Sequence, residues 1–267
     1  MLDLSPSLEV TGDDLRQEGE RLAWLPGTWD VFVAHLGDQT TESFVQDCLR
    51  VRRFGHRPVP HLTARRYRNP ERLAETLQLL SNKGAAREAL ILAGDVEPAG
   101  SLKDSIDVVN SGVLERGGLE RVWFSVYPEG HPKISEDDLA SAWKKKLEWS
   151  RSCQIPIGVV TQLAKDPETS VKWCRRQGFA EQGIGARISQ FLFARPETLT
   201  GLARLAGMPV FLQVVRESGG APYVRGPGAT EGKEPPPLRA PHYMALGALG
   251  RTIAELTELF GGGGDRL

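Results

Sequence analysis

Short apolar runs and helical patterns alternate along this chain eight times over, and few architectures accept that arrangement. The runs are Leu8–Val10, Trp29–Ala34, Pro58–Thr63, Ala89–Ala93, Val122–Tyr127, Ile155–Gln162, Ile184–Ser189 and His242–Leu246. Between them lie segments of helical spacing: Leu15–Leu22, Thr40–Arg53, a helix opened by Asn69-Pro70-Glu71, Ser105–Glu115, Glu136–Arg151, Pro167–Arg176, Pro196–Ala206 and Arg251–Phe260. Start signals sit where they should, with Asp13-Asp14 in a first turn and Pro70 at a first helical position. Pro209–Val215 reads as an extra strand or a short buried segment, and Gly- and Pro-rich Ser218–Ala240 as a long irregular loop.

Eight such units in 267 residues predict a single (β/α)8 barrel domain spanning residues 1–267. A doubly wound open sheet is the weaker alternative, because no G-x-G-x-x-G follows the first strand. Hydrophobic residues are 40% of the chain, enough for a sizeable core. The formal net charge of −1 gives no footprint for nucleic acid or an anionic membrane. Cys48, Cys153 and Cys174 form no C-x-x-C and leave one unpaired in any disulfide scheme. No segment approaches 18 uninterrupted apolar residues, so the expectation is a soluble, cytoplasmic protein.

In a parallel barrel the functional face is the C-terminal one. The strand ends bring there Glu9, His35, His61 with Thr63, Asp95, Tyr127 with His131, Gln162, and either Ser189 or Gln190. Each alone has a plain structural explanation, such as a turn cap for Asp95 or a core imidazole for His61. Together they supply carboxylates in different settings, as acid–base chemistry requires. The spread of the histidines over separate strands does not give metal-ligand spacing, and there is no G-x-S-x-G nucleophile elbow.

Several pieces resemble the flavin-dependent methylenetetrahydrofolate reductases, in the short, divergent bacterial-type form without a regulatory domain. They are Pro60-His-Leu-Thr63, Leu92-Ala-Gly-Asp95, Tyr127-Pro-Glu-Gly-His-Pro132, the Lys144-Lys-Lys146 helix and Val160-Thr-Gln162, in the family's order and at about its spacing. The resemblance runs from about Leu8 to Leu259. It implies a TIM barrel that holds FAD across the C-terminal strand ends, accepts hydride from NADH or NADPH, and interconverts 5,10-methylenetetrahydrofolate and 5-methyltetrahydrofolate. It also implies self-association into a dimer or tetramer. Carried over by position, His35, His61, Thr63, Ala93, Gly94, Asp95, Ser105, Tyr127, His131, Asp138 and Lys146 would contact the flavin, with Lys146 neutralising its diphosphate. Asp95 would tune the flavin, Glu9 would protonate the folate nitrogen, and Gln162 would bond the pterin.

Three departures mark a divergent branch: Ala93 replaces an arginine on the fourth strand, the first strand keeps only Glu9 of its usual motif, and the last ends Leu246-Gly-Ala-Leu in place of Leu-Asn-Arg. The resemblance leaves two other readings open. One is a flavin- or folate-binding barrel serving as a subunit of a methyl-transfer or electron-transfer complex, and the other is a flavin barrel acting on a different substrate.

Overall fold

Eight strands pair side by side in parallel and close on themselves: β1 (Ser7–Thr11), β2 (Asp30–Ala34), β3 (Arg57–Thr63), β4 (Glu88–Leu92), β5 (Arg121–Val126), β6 (Ile157–Thr161), β7 (Gly185–Gln190) and, completing the ring between β7 and β1, β10 (Arg239–Met244). This is a computed structural model, and it describes residues 5–36, 39–164, 166–205, 215–216, 221–222, 224–225 and 239–261. The helices are α1 (Gly12–Glu18), α2 (Thr41–Arg53), α3 (Pro70–Asn82), α4 (Ser105–Asn110), α5 (Val113–Arg116), α6 (Glu136–Cys153), α7 (Pro167–Arg176), α8 (Pro196–Leu205) and α9 (Leu249–Gly261). The expected (β/α)8 barrel is therefore the fold.

Strand alternation sorts the side chains into two cores. Phe32, Val59, Leu90, Trp123 and Val160 point inward and fill the barrel. Their neighbours Val31, Val33, Leu62, Ile91, Val122, Phe124 and Val159 point outward and meet helix residues such as Phe44, Leu73, Leu77 and Trp149. Gly158 is bare of necessity, because a Cβ there would lie 2.4 Å from the Trp123 ring. Helix starts are capped by the side chains of Thr11, Thr40, Asn69, Asp104, Ser135 and Asp166.

The N-terminal end of the barrel is closed by charge. Asp30, Arg57, Glu88 and Arg121 open β2 to β5 with alternating sign, and Arg57 Nε donates to Asp30 at 2.6 Å while Arg121 reaches Glu88 at 3.2 Å. Arg187 of β7, fully buried, pairs with Asp30 across the barrel and lies over the rings of Phe32 and Trp123, 5.4 and 4.7 Å from their centroids. The polar residues that follow the strands lie at the opposite, C-terminal end.

Several expectations need correction. The segment Ser105–Glu115 is two short helices, since Gly112 at φ 68° breaks it between α4 and α5. Leu15–Leu22 is α1 followed by a 3₁₀ helix, Gly19–Trp24. The last strand begins at Arg239, inside the segment read as loop, and ends at Met244 rather than Leu246. Within that same segment β9 (Val224–Arg225) pairs antiparallel with β8 (Phe193–Ala194), a contact with no sequence signal. Residues 209–214, most of 218–240 and the tail 262–267 lie outside the described residues. The three cysteines are free.

Candidate functional site

The site is built on β1, β3 and β10. Glu9 lies two residues before the end of β1, with 18% of its side chain exposed. Its Oε2 is 3.1 Å from His242 Nε2 and 3.5 Å from His61 Nε2. His242 Nδ1 is in turn 2.8 Å from Ser7 Oγ. The consistent hydrogen pattern has the Ser7 hydroxyl donating to Nδ1 and Nε2–H donating to the carboxylate. Phe32 stands edge-on to both imidazoles, its centroid 4.7 Å from His242 and 6.2 Å from His61.

Charge within this group is set by opposing effects. Burial alone would raise the Glu9 pKa, but His61 and the hydrogen bond from His242 outweigh it and hold the carboxyl below its ordinary value. Burial lowers both His61 and His242 in spite of the nearby carboxylate. Glu9 is thus held toward its ionised form beside His61 and His242, whose own protonation burial opposes.

A second group follows the ends of β4 and β5. Tyr127 and His131 meet edge to face at 4.8 Å. Asp95 is exposed and close enough to both to act on them: burial, then the Asp95 charge, raises Tyr127, while burial lowers His131 against the pull of Asp95. Gly94 adopts φ 95° and packs so tightly on Thr63 that a Cβ would lie 2.2 Å from its methyl. Arg65 fastens this loop by donating from its backbone to Ala93 O at 3.0 Å and from its guanidinium to Gly94 O at 3.2 Å. Gln162 directly follows β6, held by its backbone N–H to Val126 O at 2.7 Å, with its side chain half-buried.

Other expected contacts are not brought to these groups. The Lys146 ammonium lies 4.7 Å over the ring of Phe124, an outward-facing residue, and burial pushes its pKa down to about 8. It packs between α6 and the barrel wall, with the Asp104 carboxylate acting on it from the segment after β4. Asp138 is exposed and accepts from the Ser135 hydroxyl at 2.6 Å in the first turn of α6. Ser105 is the half-buried first residue of α4, and Ser189 spends its hydroxyl on Thr161 O. His35 stacks on Phe44 beside α2 rather than against Glu9.

His242 and Ser7 were not singled out from the sequence. The signal was present: Ala240, His242 and Met244 alternate inward, and closing a barrel sets the last strand beside the first, pairing Ser7 with His242 and Glu9 with Met244. Among the described residues no group of three His, Cys, Asp or Glu is arranged to hold a metal ion, and no helix is long and apolar enough to cross a membrane.

No family model matches the chain. Among solved structures it is similar to the dihydropteroate synthase FolP from Thermus thermophilus, at 14% identity and a TM-score of 0.47, over 96% of this chain and 94% of that one. It is also similar to a xylose isomerase domain protein from Planctomyces limnophilus, at 10% identity and a TM-score of 0.36, over 96% and 95% of the two chains. Likeness at this level is one of fold and carries no argument about activity.

Proposed function

We propose that the chain is an enzyme, an FAD-dependent oxidoreductase that interconverts 5,10-methylenetetrahydrofolate and 5-methyltetrahydrofolate, with Glu9 as its acid–base group. The observation that carries this reading is the convergence of Glu9, His61 and His242 from three strands at the open end of the barrel. The resembling motifs support it by position: Thr63 ends β3, Asp95 follows β4, Tyr127 and His131 follow β5, and Gln162 follows β6, all on one edge.

The donor set suits an extended polar cofactor. Thr63, the Gly94 backbone, Asp95, Tyr127 and His131 would hold FAD, and the packing of Gly94 on Thr63 keeps that wall free of a side chain. When bound, FAD supplies the hydride relay between a nicotinamide, NADH or NADPH, and the folate. The remaining steps belong to the chain. Gln162 orients the pterin by amide hydrogen bonds. In the oxidative direction the folate nitrogen loses a proton as the five-membered ring closes, and the Glu9 carboxylate accepts it. In the reductive direction Glu9 must first be protonated, then returns that proton to the same nitrogen as the ring opens. His242 keeps its Nε2–H on the carboxylate throughout and fixes its orientation.

Glu9→Gln tests the assignment: it should keep bound FAD and flavin reduction by nicotinamide, yet lose folate turnover by roughly 10²-fold or more. Undiminished folate turnover would remove Glu9 from the mechanism.

A further inference from the structure

The loop that joins β4 to α4 carries Asp95 to the mouth of the barrel without gripping its carboxylate. Asp95 is exposed, and among the described residues no hydrogen bond or ion pair holds its side chain. Its charge nevertheless acts on two neighbours, raising Tyr127 and pulling His131 upward against burial. A loop side chain with no partner of its own keeps its rotamer freedom. What the fold can fix is the backbone that presents it.

Arg65 fixes that backbone. It lies in the 3₁₀ turn Ala64–Arg66, directly after β3. Its Nη1 donates to Gly94 O at 3.2 Å and to Val96 O at 3.5 Å, the carbonyls on either side of Asp95. Its Nε donates to Lys103 O at 2.8 Å, at the far end of the same loop. The main chain of Arg65 adds its N–H to Ala93 O at 3.0 Å and accepts from Ala99 N–H at 2.8 Å. Gly94 is held besides by its φ of 95° and its contact with Thr63. Several carbonyls in fixed directions are what the planar fork of a guanidinium matches and a single ammonium does not.

We infer that Arg65 is a positioning residue: by bridging the Gly94 and Val96 carbonyls it sets where the Asp95 carboxylate stands against Tyr127 and His131. An arginine that merely closed a loop would need only one carbonyl, whereas two of the three guanidinium bonds bracket Asp95. The consequence for catalysis rests on the proposal that Asp95 tunes a bound flavin. The placement itself needs no flavin.

An NMR titration of the His131 ring in the full chain, without flavin, tests it in Arg65→Met, Asp95→Asn and the double variant. The charged groups that act on His131 are Asp95, which raises it, and Lys133, which lowers it and is unchanged throughout. Asp95→Asn removes the upward pull, so the His131 midpoint should fall. Arg65→Met keeps the stem and removes every guanidinium donor. It should lower the midpoint toward the Asp95→Asn value and should change nothing once residue 95 is already asparagine. Should Arg65→Met not fold, Arg65→Lys, which keeps the charge and loses the fork, carries the same expectation. A His131 midpoint unmoved by the Arg65 substitution, or moved equally in both backgrounds, would overturn the inference. Because no arm involves flavin, that failure is distinct from a failure of the redox proposal.

Discussion

His242 is where the chain most rewards inspection residue by residue. It is fully buried, linked to Ser7 on one side and Glu9 on the other, so removing its donor alters the acid–base group without touching a ligand. His242→Phe should raise the Glu9 pKa, since one of its lowering partners is lost, and shift the pH profile of folate turnover to higher pH; an unmoved profile would refute the coupling. The five histidines of the chain also make one joint prediction. All five carry lowered pKa values, in each case chiefly by burial. Between those values and the ordinary 6.5 the unfolded chain binds more protons than the folded one. Stability is therefore fully present above about pH 6.5 and is lost as pH falls. His35 alone, lowered from 6.5 to about 4, accounts for about 3 kcal/mol over that window. Asp14 and Asp47, raised by burial, act in the opposite sense. The urea midpoint should be lower at pH 5 than at pH 7.5, and a flat profile would contradict the buried neutral histidines.

At the scale of elements, sequence and structure agree wherever one local signal decides. Strand alternation and caps marked every barrel strand and nearly every helix, because Asn69-Pro70 or Asp166-Pro167 dictates a helix start through its own backbone chemistry. The failures are places where the decision is non-local. Glycine at 112 reads as tolerable inside a helix and becomes a break only because its φ of 68° turns the chain from α4 into α5. The short β8–β9 ladder pairs residues about thirty positions apart, and nothing in either dipeptide announces it. Lys146 looked like a cation on a helix edge until the packing of α6 put it over Phe124. Two substitutions test how elements hold the site. Thr11 ends β1 and caps α1, accepting from Asp14 N–H at 3.1 Å while Asp14 accepts from both its N–H and its hydroxyl. Thr11→Ala should cost about 1 kcal/mol in a denaturant titration. Gly94→Ala combines a positive φ with a clash on Thr63, so it should cost about 2 kcal/mol or more and weaken flavin retention together with stability. Unchanged stability in the second variant would mean that the β4 loop is not held as described.

The whole molecule is a barrel with a charged floor and an open, polar mouth. The floor closes one end with paired charges, and the polar strand-end residues gather at the other. Arg187, Asp30, Arg57, Glu88 and Arg121 pair at this end of the barrel, though the buried Arg187 Nε has no hydrogen-bond partner among the described residues, and burial pushes Arg187 down to about 10. Arg187→Ala would remove one of the two arginines that pair with Asp30, leaving only Arg57, and a loss of about 1–3 kcal/mol is expected in equilibrium unfolding, with Arg187→Met less damaging because it refills the space over Phe32 and Trp123. Of the mouth, Glu9, His61, Asp95, Tyr127 and His131 were legible as polar residues at strand ends. His242 was not, because its role depends on barrel closure, which brings the last strand to the first. The account as a whole turns on whether this mouth carries flavin and passes hydride to or from folate. The most direct measurement is an absorbance spectrum of the purified protein, supplied with FAD, before and after anaerobic addition of 5-methyltetrahydrofolate. The account predicts visible flavin bands that bleach on addition of the folate. A protein that takes up no FAD, or whose flavin bands stay unchanged with the folate present, would contradict it.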